Sequence, residues 1–220
     1  MGTKERKLRE LETRKKLILS TAKKLFSEKG FSNLTLDDIA TAIEFSKGTI
    51  YTHFNSKEEI YALILLNHLN VLLTHLKEAT KACKDTASCI RSCLNTYIKF
   101  YKKHREYFQL LFFIDLMSNQ YKIPSDLLKE IQKQKIACLL ELQNVVKKGM
   151  ELKEIRKDHS FARIALVLWG MTNGVIHLAE SNQIKMDDLD QLINVGYEIV
   201  VYGLANKNKY PSEEEKTGHI

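Results

Sequence analysis

Helix-breaking residues are scarce in this chain: its 220 residues include only two prolines, Pro124 and Pro211, and nine glycines. Against a background rich in Leu, Lys, Glu and Ile, that leaves few places to turn and predicts an all-α fold. Long apolar runs are missing too. No segment approaches the roughly 18 to 20 unbroken apolar residues that span a bilayer, and stretches such as Leu110 to Ile114 are short. The N-terminal TKERKLRELETRKK has no hydrophobic region behind its charges, so it does not read as a secretory signal. The expectation is a cytoplasmic protein without a membrane partner. Cysteines number four, and Cys83, Cys89, Cys93 and Cys138 lack the tight paired spacing of a zinc site. Cys89 and Cys93 would be neighbours on a helical face, which leaves thiol sensing open beside buried, inert thiols. No nucleophile elbow, phosphate-cradling glycine loop or HExxH signature occurs. Neither an enzyme nor a bound metal or cofactor is expected.

The net charge of +7 is uneven, because residues 1 to 57 hold twelve Lys or Arg against seven Asp or Glu. A localised positive surface favours a polyanion, nucleic acid first, although a solvated charged face has the same composition. The length allows a substantial core without metals or disulfides, in one large helical domain or in a small one joined to a larger.

Residues 4 to 16 are charged with helical potential but have little to bury, and read as a mobile basic arm leading into the first helix. Beyond them Ile18, Ala22, Leu25 and Phe26 form one apolar stripe of an amphipathic helix that Gly30 should end. Thr35 with Asp38 reads as a capping pair before a short helix with Leu36, Ile39, Ala40 and Ile43 inward. Ser46 caps the next helix, predicted to run to His53 or Phe54, which Ile50 and Phe54 can anchor. Its remaining face is small and polar. Ser56 with Glu59 opens a long helix from Lys57 to about Thr80. Further helices are expected near 86 to 103, 105 to 117, 125 to 152, 159 to 181 and 187 to 206, followed by a polar tail.

Three short helices with a tight turn before the third describe a helix-turn-helix, whose third helix enters a DNA major groove. Such an approach requires small or polar residues. Lys47, Gly48, Thr49 and Thr52 suit it: Lys47 to donate to guanine, the threonines to meet base edges or a thymine methyl, Gly48 to let the backbone come close. Tyr51, His53 and Lys57 lie where a strand would pass, and the helix starts at Thr35 and Ser56 offer amides to phosphates. The same pattern also fits an ordinary capped bundle with an exposed polar face.

From Ile18 to Ile60 the succession "LF", "GF", "T.DDIA", "SKGTIY.HF.SKEE" resembles the DNA-binding domain of the TetR family of bacterial transcriptional regulators. The resemblance covers about a quarter of the chain. It implies an N-terminal three-helix domain followed by a larger helical ligand-binding and dimerisation domain. The boundaries are then 1–16 for the basic arm, 17–56 for the helix-turn-helix, 57–206 for the C-terminal domain with 57–80 as connecting helix, and 207–220 for the tail. One departure concerns the turn, where Ile43, Glu44 and Phe45 replace the family's usual Ala-Gly-Val. A non-glycine residue at positive φ costs about 1 kcal/mol or forces a changed turn.

In the C-terminal part, Gly170 and Gly174 are four apart on one helical face and Gly196 and Gly203 sit on the last helix, as two helices meeting their symmetry mates require. Intramolecular packing accounts for the glycines equally well, and the resemblance favours the dimer. Candidates for an effector pocket are Tyr97, Tyr101, Phe108, Phe112, Phe113, Met117, Trp169, Asn173 and His177, aromatic and amphiphilic residues that are individually as suited to plain core. The expected function is a homodimeric repressor, released from a pseudo-palindromic double-stranded DNA operator by a small-molecule effector. The alternative is a helical ligand-binding or protein-interaction module with a vestigial DNA-binding head.

Overall fold

The computed structural model describes residues 3–81, 83–105, 108 and 123–205. Among them the chain is helical: α1 (Thr3–Lys29), α2 (Leu36–Ala42), α3 (Lys47–Tyr51), α4 (Lys57–Ala79), α5 (Thr86–Lys103), α6 (Ser125–Glu151), α7 (Phe161–Glu180) and α8 (Leu189–Leu204), with a 3₁₀ turn at Met186–Asp188 before α8. The β pairing among the described residues is an isolated bridge between Ile155 and Ala205. Most of the helix expected at 105–117 and the tail at 207–220 lie outside the described residues.

The chain divides into two compact units, Met1–Asn70 with Lys103–Gln134, and Val71–Lys102 with Lys135–Ile220. In the first, Ile18, Ala22 and Phe26 of α1 are buried with Leu36, Ile39 and Ala40 of α2, Ile50 of α3, Phe54, and Ile60, Tyr61 and Ile64 of α4. The Phe26 and Tyr61 rings meet edge to face at 4.8 Å, and Phe31 lies 4.9 Å from Tyr61. This aromatic knot fixes where α4 leaves the small helices. The N-terminal segment corrects the expectation of a separate arm. Residues 4–16 are the first four turns of α1 itself, exposed but helical, because Lys, Arg, Glu and Leu favour helix and pairs such as Arg14 with Glu10, at 3.0 Å, cross one turn.

In the second unit, α5 starts against the end of α6: the Thr86 N–H and hydroxyl both donate to Glu154 Oε2, at 2.9 and 2.7 Å. Gly149 permits this approach, since a Cβ there would collide with the Thr86 side chain. Tyr197 of α8 donates to the Ala87 carbonyl at 2.9 Å, and the Arg91 guanidinium lies 4.2 Å over its ring.

The cysteine expectation also changes. Cys83 and Cys89 form a disulfide with Cα atoms 5.2 Å apart, so Cys89, a helical neighbour of Cys93 on α5, carries no free thiol. Cys93 and Cys138 are buried free thiols, each pushed up to about 12 chiefly by burial, which makes them inert.

Two helices, α4 and α7, have the length and average hydropathy of a membrane span. Half of the apolar window of α4 is buried within the protein, as in any core helix, whereas only 28% of that of α7 is. α7 therefore keeps a large apolar face uncovered.

His68 on α4 is 6% exposed, its Nδ1–H donating to the Ile64 carbonyl at 3.0 Å and its ring 4.3 Å from that of His104. Burial first, then the charges of His104 and Lys23, bring it down to about 4. The unfolded chain, with an ordinary histidine near 6.5, binds the proton that the fold refuses. Stability is thus complete above pH 6.5 and falls as pH drops toward 4, by at most about 3 kcal/mol. Urea melts of His68→Gln between pH 7 and 4.5 should show a distinctly shallower acid slope than the unaltered chain.

Candidate nucleic-acid interface

α2, the turn after it and α3 are assembled from local signals. Thr35 caps α2 through a reciprocal box: its N–H and hydroxyl donate to Asp38 Oδ2 at 2.9 and 2.6 Å, and the Asp38 N–H donates to Thr35 Oγ1 at 3.2 Å. These bonds, aided by Lys29, hold the Asp38 carboxyl below its ordinary value. The N–H and hydroxyl of Thr35 itself are thus engaged inside the cap.

The turn keeps the geometry that the unusual Ile43-Glu44-Phe45 put in question. Glu44 adopts φ +56°, the left-handed conformation, the Glu44 N–H donates to the Thr41 carbonyl at 3.2 Å, and the Phe45 N–H reaches back to that of Ala40 at 2.9 Å. This is a Schellman closure with glutamate in the place that glycine usually takes. It delivers Ser46 to its capping position, where Oγ accepts from the Thr49 N–H at 3.2 Å.

α3 is two residues shorter than expected, ending at Tyr51, while Thr52 and His53 continue in a hydrogen-bonded turn. Ile50 is fully buried and Phe54 2% exposed, so the inner side of this segment is fixed. On the outer side, Ser46, Lys47, Gly48, Tyr51 and Thr52 are exposed and Thr49 is half-buried. Nothing lies within 4 Å of a Cβ added at Gly48 except Ser46 Oγ at 3.8 Å, so the backbone there is open to close approach. The Lys47 ammonium is paired with Asp37 of α2, which raises its pKa. The Thr49 hydroxyl contacts that of Ser46 at 2.8 Å, and the Thr52 hydroxyl donates to the Thr49 carbonyl at 2.7 Å.

The flanking residues divide. Tyr51 is 55% exposed. His53 is half-buried and its pKa is lowered, first by burial and then by Lys15 and Arg14, which favours the neutral ring. Lys57 has partners within the fold: its ammonium donates to the Phe31 and Ser32 carbonyls at 2.9 and 3.3 Å and lies 4.7 Å from the centre of the Phe31 ring. It ties α4 to the loop after α1. Ser56 is buried and caps α4, accepting the Glu59 N–H at 3.1 Å, while the Glu59 carboxylate takes the Asn55 N–H at 2.8 Å.

Residues 18–64 match the family model described as bacterial regulatory proteins, tetR family. This segment belongs to the TetR family. Over 101 residues it is 26% identical to the HTH-type transcriptional activator FasR of Mycolicibacterium smegmatis, covering 46% of each chain. Over 59 residues it is 41% identical to the biofilm operon icaADBC negative transcriptional regulator IcaR of Staphylococcus epidermidis, covering 27% of this chain and 32% of that one. The chain therefore spans less than half the length of these relatives. The fold is shared more widely: the TetR-family regulator PfmR of Thermus thermophilus superposes with a TM-score of 0.65 at 22% identity, over 86% of this chain and 99% of that one.

Several of the candidate pocket residues lie within the described part of the chain. Tyr97 donates to Asn173 Oδ1 at 2.8 Å and packs 4.6 Å from the Trp169 ring, so these three fill space. Tyr101 donates to Glu180, His177 is exposed, and Phe108 belongs to the core of the first unit. Phe112, Phe113 and Met117 lie outside the described residues. Instead, a cavity of about 240 Å³ opens among Thr80, Cys83, Cys89, Glu141, Asn144 and Lys148 of the second unit. No group of three or more His, Cys, Asp or Glu among the described residues could hold a metal.

The left-handed turn gives a direct check. Glu44→Gly removes the steric penalty of a side chain at φ +56° and adds some unfolded-state entropy, for a net gain of about 0.5 to 1 kcal/mol. A higher melting temperature is expected for it and a lower one for Glu44→Val.

Proposed function

We propose that this protein is a sequence-specific DNA-binding regulator of transcription that acts as a homodimer, each copy placing α3 in one of two successive major grooves about 34 to 36 Å apart. The carrying observation is the outer side of α3, small and polar around an open Gly48, on a helix whose inner side is pinned by Ile50 and Phe54. A vestigial head would have no need to keep that side open.

The homodimer is supported by α7 and α8. Leu166 and Val167 on α7 are 53% and 58% exposed, and Val195, Ile199 and Tyr202 on α8 are 47%, 69% and 79% exposed. They repeat at helical spacing, and Gly170, Gly174 and Gly203 lie on the same open surface with nothing within 4 Å of an added Cβ. Gly196 departs from the expectation: a Cβ there would strike Met171, so it serves the packing of α8 on α7 within one chain. A groove of about 360 Å³ that includes Val167, Ile199 and Gly203 is continuous with the apolar stripe, and we assign it to the partner copy.

The sign of regulation we take to be repression. Occupancy of an operator blocks transcription without any further contact surface, and IcaR, described as a negative regulator, is the relative with the higher local identity. Release by a small molecule requires a site whose occupation favours a second state of the dimer. The 240 Å³ cavity of the second unit, mixed in polarity and suited to a fragment-sized ligand, is the seat proposed for it.

Two measurements test this reading. The unaltered chain should select a pseudo-palindromic duplex from a random pool and hold it at least about 10³-fold more tightly than unselected DNA. Gly48→Leu should erase most of that preference without loss of melting temperature, and equal binding to all duplexes would refute the proposal. Ile199→Glu should convert a dimer to monomers in sedimentation at micromolar concentration and weaken operator binding by orders of magnitude; a monomeric unaltered chain would remove the dimer.

A further inference from the structure

α1 runs well beyond the part of it that belongs to the helix-turn-helix core. Its last buried residue toward the N-terminus is Ile18, which is also where the family match begins, so the preceding four turns are a feature of this chain that the match does not include. Those turns are not uniformly charged. At 100° per residue, Lys4, Lys7, Arg14 and Lys15 all fall within about 60° of the direction of Ile18, together with Leu11, and no acidic residue does. Glu5, Glu10 and Glu12 point about 80° or more away and share the other side with Arg6, Arg9 and Lys16. One side therefore carries four cations and no anion, while the other is neutral.

The cationic side is the one that faces the helix-turn-helix, since Ile18 and Ala22 pack there. Two contacts show that it borders the reading segment. The Arg14 guanidinium lies 6.0 Å from the centre of the ring of Phe45, the residue before the cap of α3. His53, at the other end of that segment, feels the charges of Lys15 and Arg14. The positive side thus begins beside α3 and continues outward. From Lys4 to Lys15 it extends about 17 Å, the axial rise of about five base pairs.

We propose that the N-terminal extension of α1 is a second DNA-contact element, laying Lys4, Lys7, Arg14 and Lys15 along the phosphates that flank the base pairs read by α3. Its contribution is affinity and register, without base selection, because lysine ammonium groups on phosphates carry no sequence information. The Arg14 to Glu10 pair is exposed, with half of each side chain in solvent, and exchanges readily for phosphate. Leu8 and Leu11, exposed on these turns, offer far less than the roughly 800 Å² per partner of a protein interface, so DNA and not a second protein is the occupant. The inference rests on the DNA-binding reading given above.

The test compares two full-length triple variants of equal charge. Lys4→Gln with Lys7→Gln and Lys15→Gln removes three of the four cations on the inward side; Arg6→Gln with Arg9→Gln and Lys16→Gln removes the same charge from the outward side. Glutamine keeps helix propensity, and circular dichroism verifies the helix. The probe is the duplex that the unaltered chain selects from a random pool, titrated between about 0.05 and 0.3 M salt. Loss of the inward lysines should flatten the slope of log affinity against log salt by about 2 to 3, at about 0.9 per phosphate, while the outward set changes it by less than about 1. Sequence preference should survive in both, and Lys→Arg at the inward positions should retain the full slope. Equal effects of the two sets would overturn the proposal and leave the DNA-binding reading standing. An unaltered chain without sequence preference would overturn that reading instead.

Discussion

The burial of Ile50 and Phe54 is the constraint on which the rest depends. α3 has five residues, far short of the roughly 12 to 15 at which an isolated helix becomes even marginally stable in water. Its shape and direction are therefore borrowed from what it packs on. Two fully buried apolar side chains contribute about 1.5 to 3 kcal/mol each, more than the roughly 1 kcal/mol of the Ser46 cap. Because the inner side carries the stability, the outer one is free to be small, polar and open. The stretch from Ser46 to Thr52 tolerates exposed threonines and a mid-helix glycine for this reason.

The same separation of roles recurs at larger scale in α7, with the chemistry reversed. Ile164, Ala165, Leu168, Thr172 and Ile176 face inward and complete the core of the second unit. The residues between them, Leu166 and Val167 among them, are apolar as well, so the helix is hydrophobic nearly all round. A helix of that kind is stable in water only when both sides are covered. Its length and composition alone would pass for a membrane span. Polar exposure on α3 and apolar exposure on α7 thus sit on helices anchored by ordinary cores.

Sequence and structure agree best where a signal is local. The caps at Thr35, Ser46 and Ser56 depend on residues three positions apart, and all three appear as read. Helix ends were harder. Glu44, Lys153 and Asn182 each take the left-handed conformation that closes a helix, without the glycine that would have marked the spot. Contacts between distant residues were not legible. Lys57 meets Phe31 and Ser32, more than twenty positions away, and the glycine facing Met171 is Gly196, which spacing alone placed on the open surface. The disulfide joins Cys83 to Cys89, a pairing for which the spacing of the cysteines gave no signal. Tyr97, Tyr101 and Phe108, grouped with others as pocket candidates, are buried, and an aromatic ring near other rings is equally consistent with lining a void and with abolishing one.

The amino-acid order by itself determined the all-helical class, the capped starts of the short helices, the polar side of α3 and the concentration of positive charge near the N-terminus. Each follows from interactions within about one helical turn, which composition and spacing encode directly. Only the tertiary structure decided which cations are spent inside the fold, which glycines serve packing within the chain, where the cavity lies, and that the basic segment is a rigid extension of α1 bordering α3. Those outcomes depend on which surfaces meet across long separations, and burial of apolar area selects the meeting without leaving a local mark.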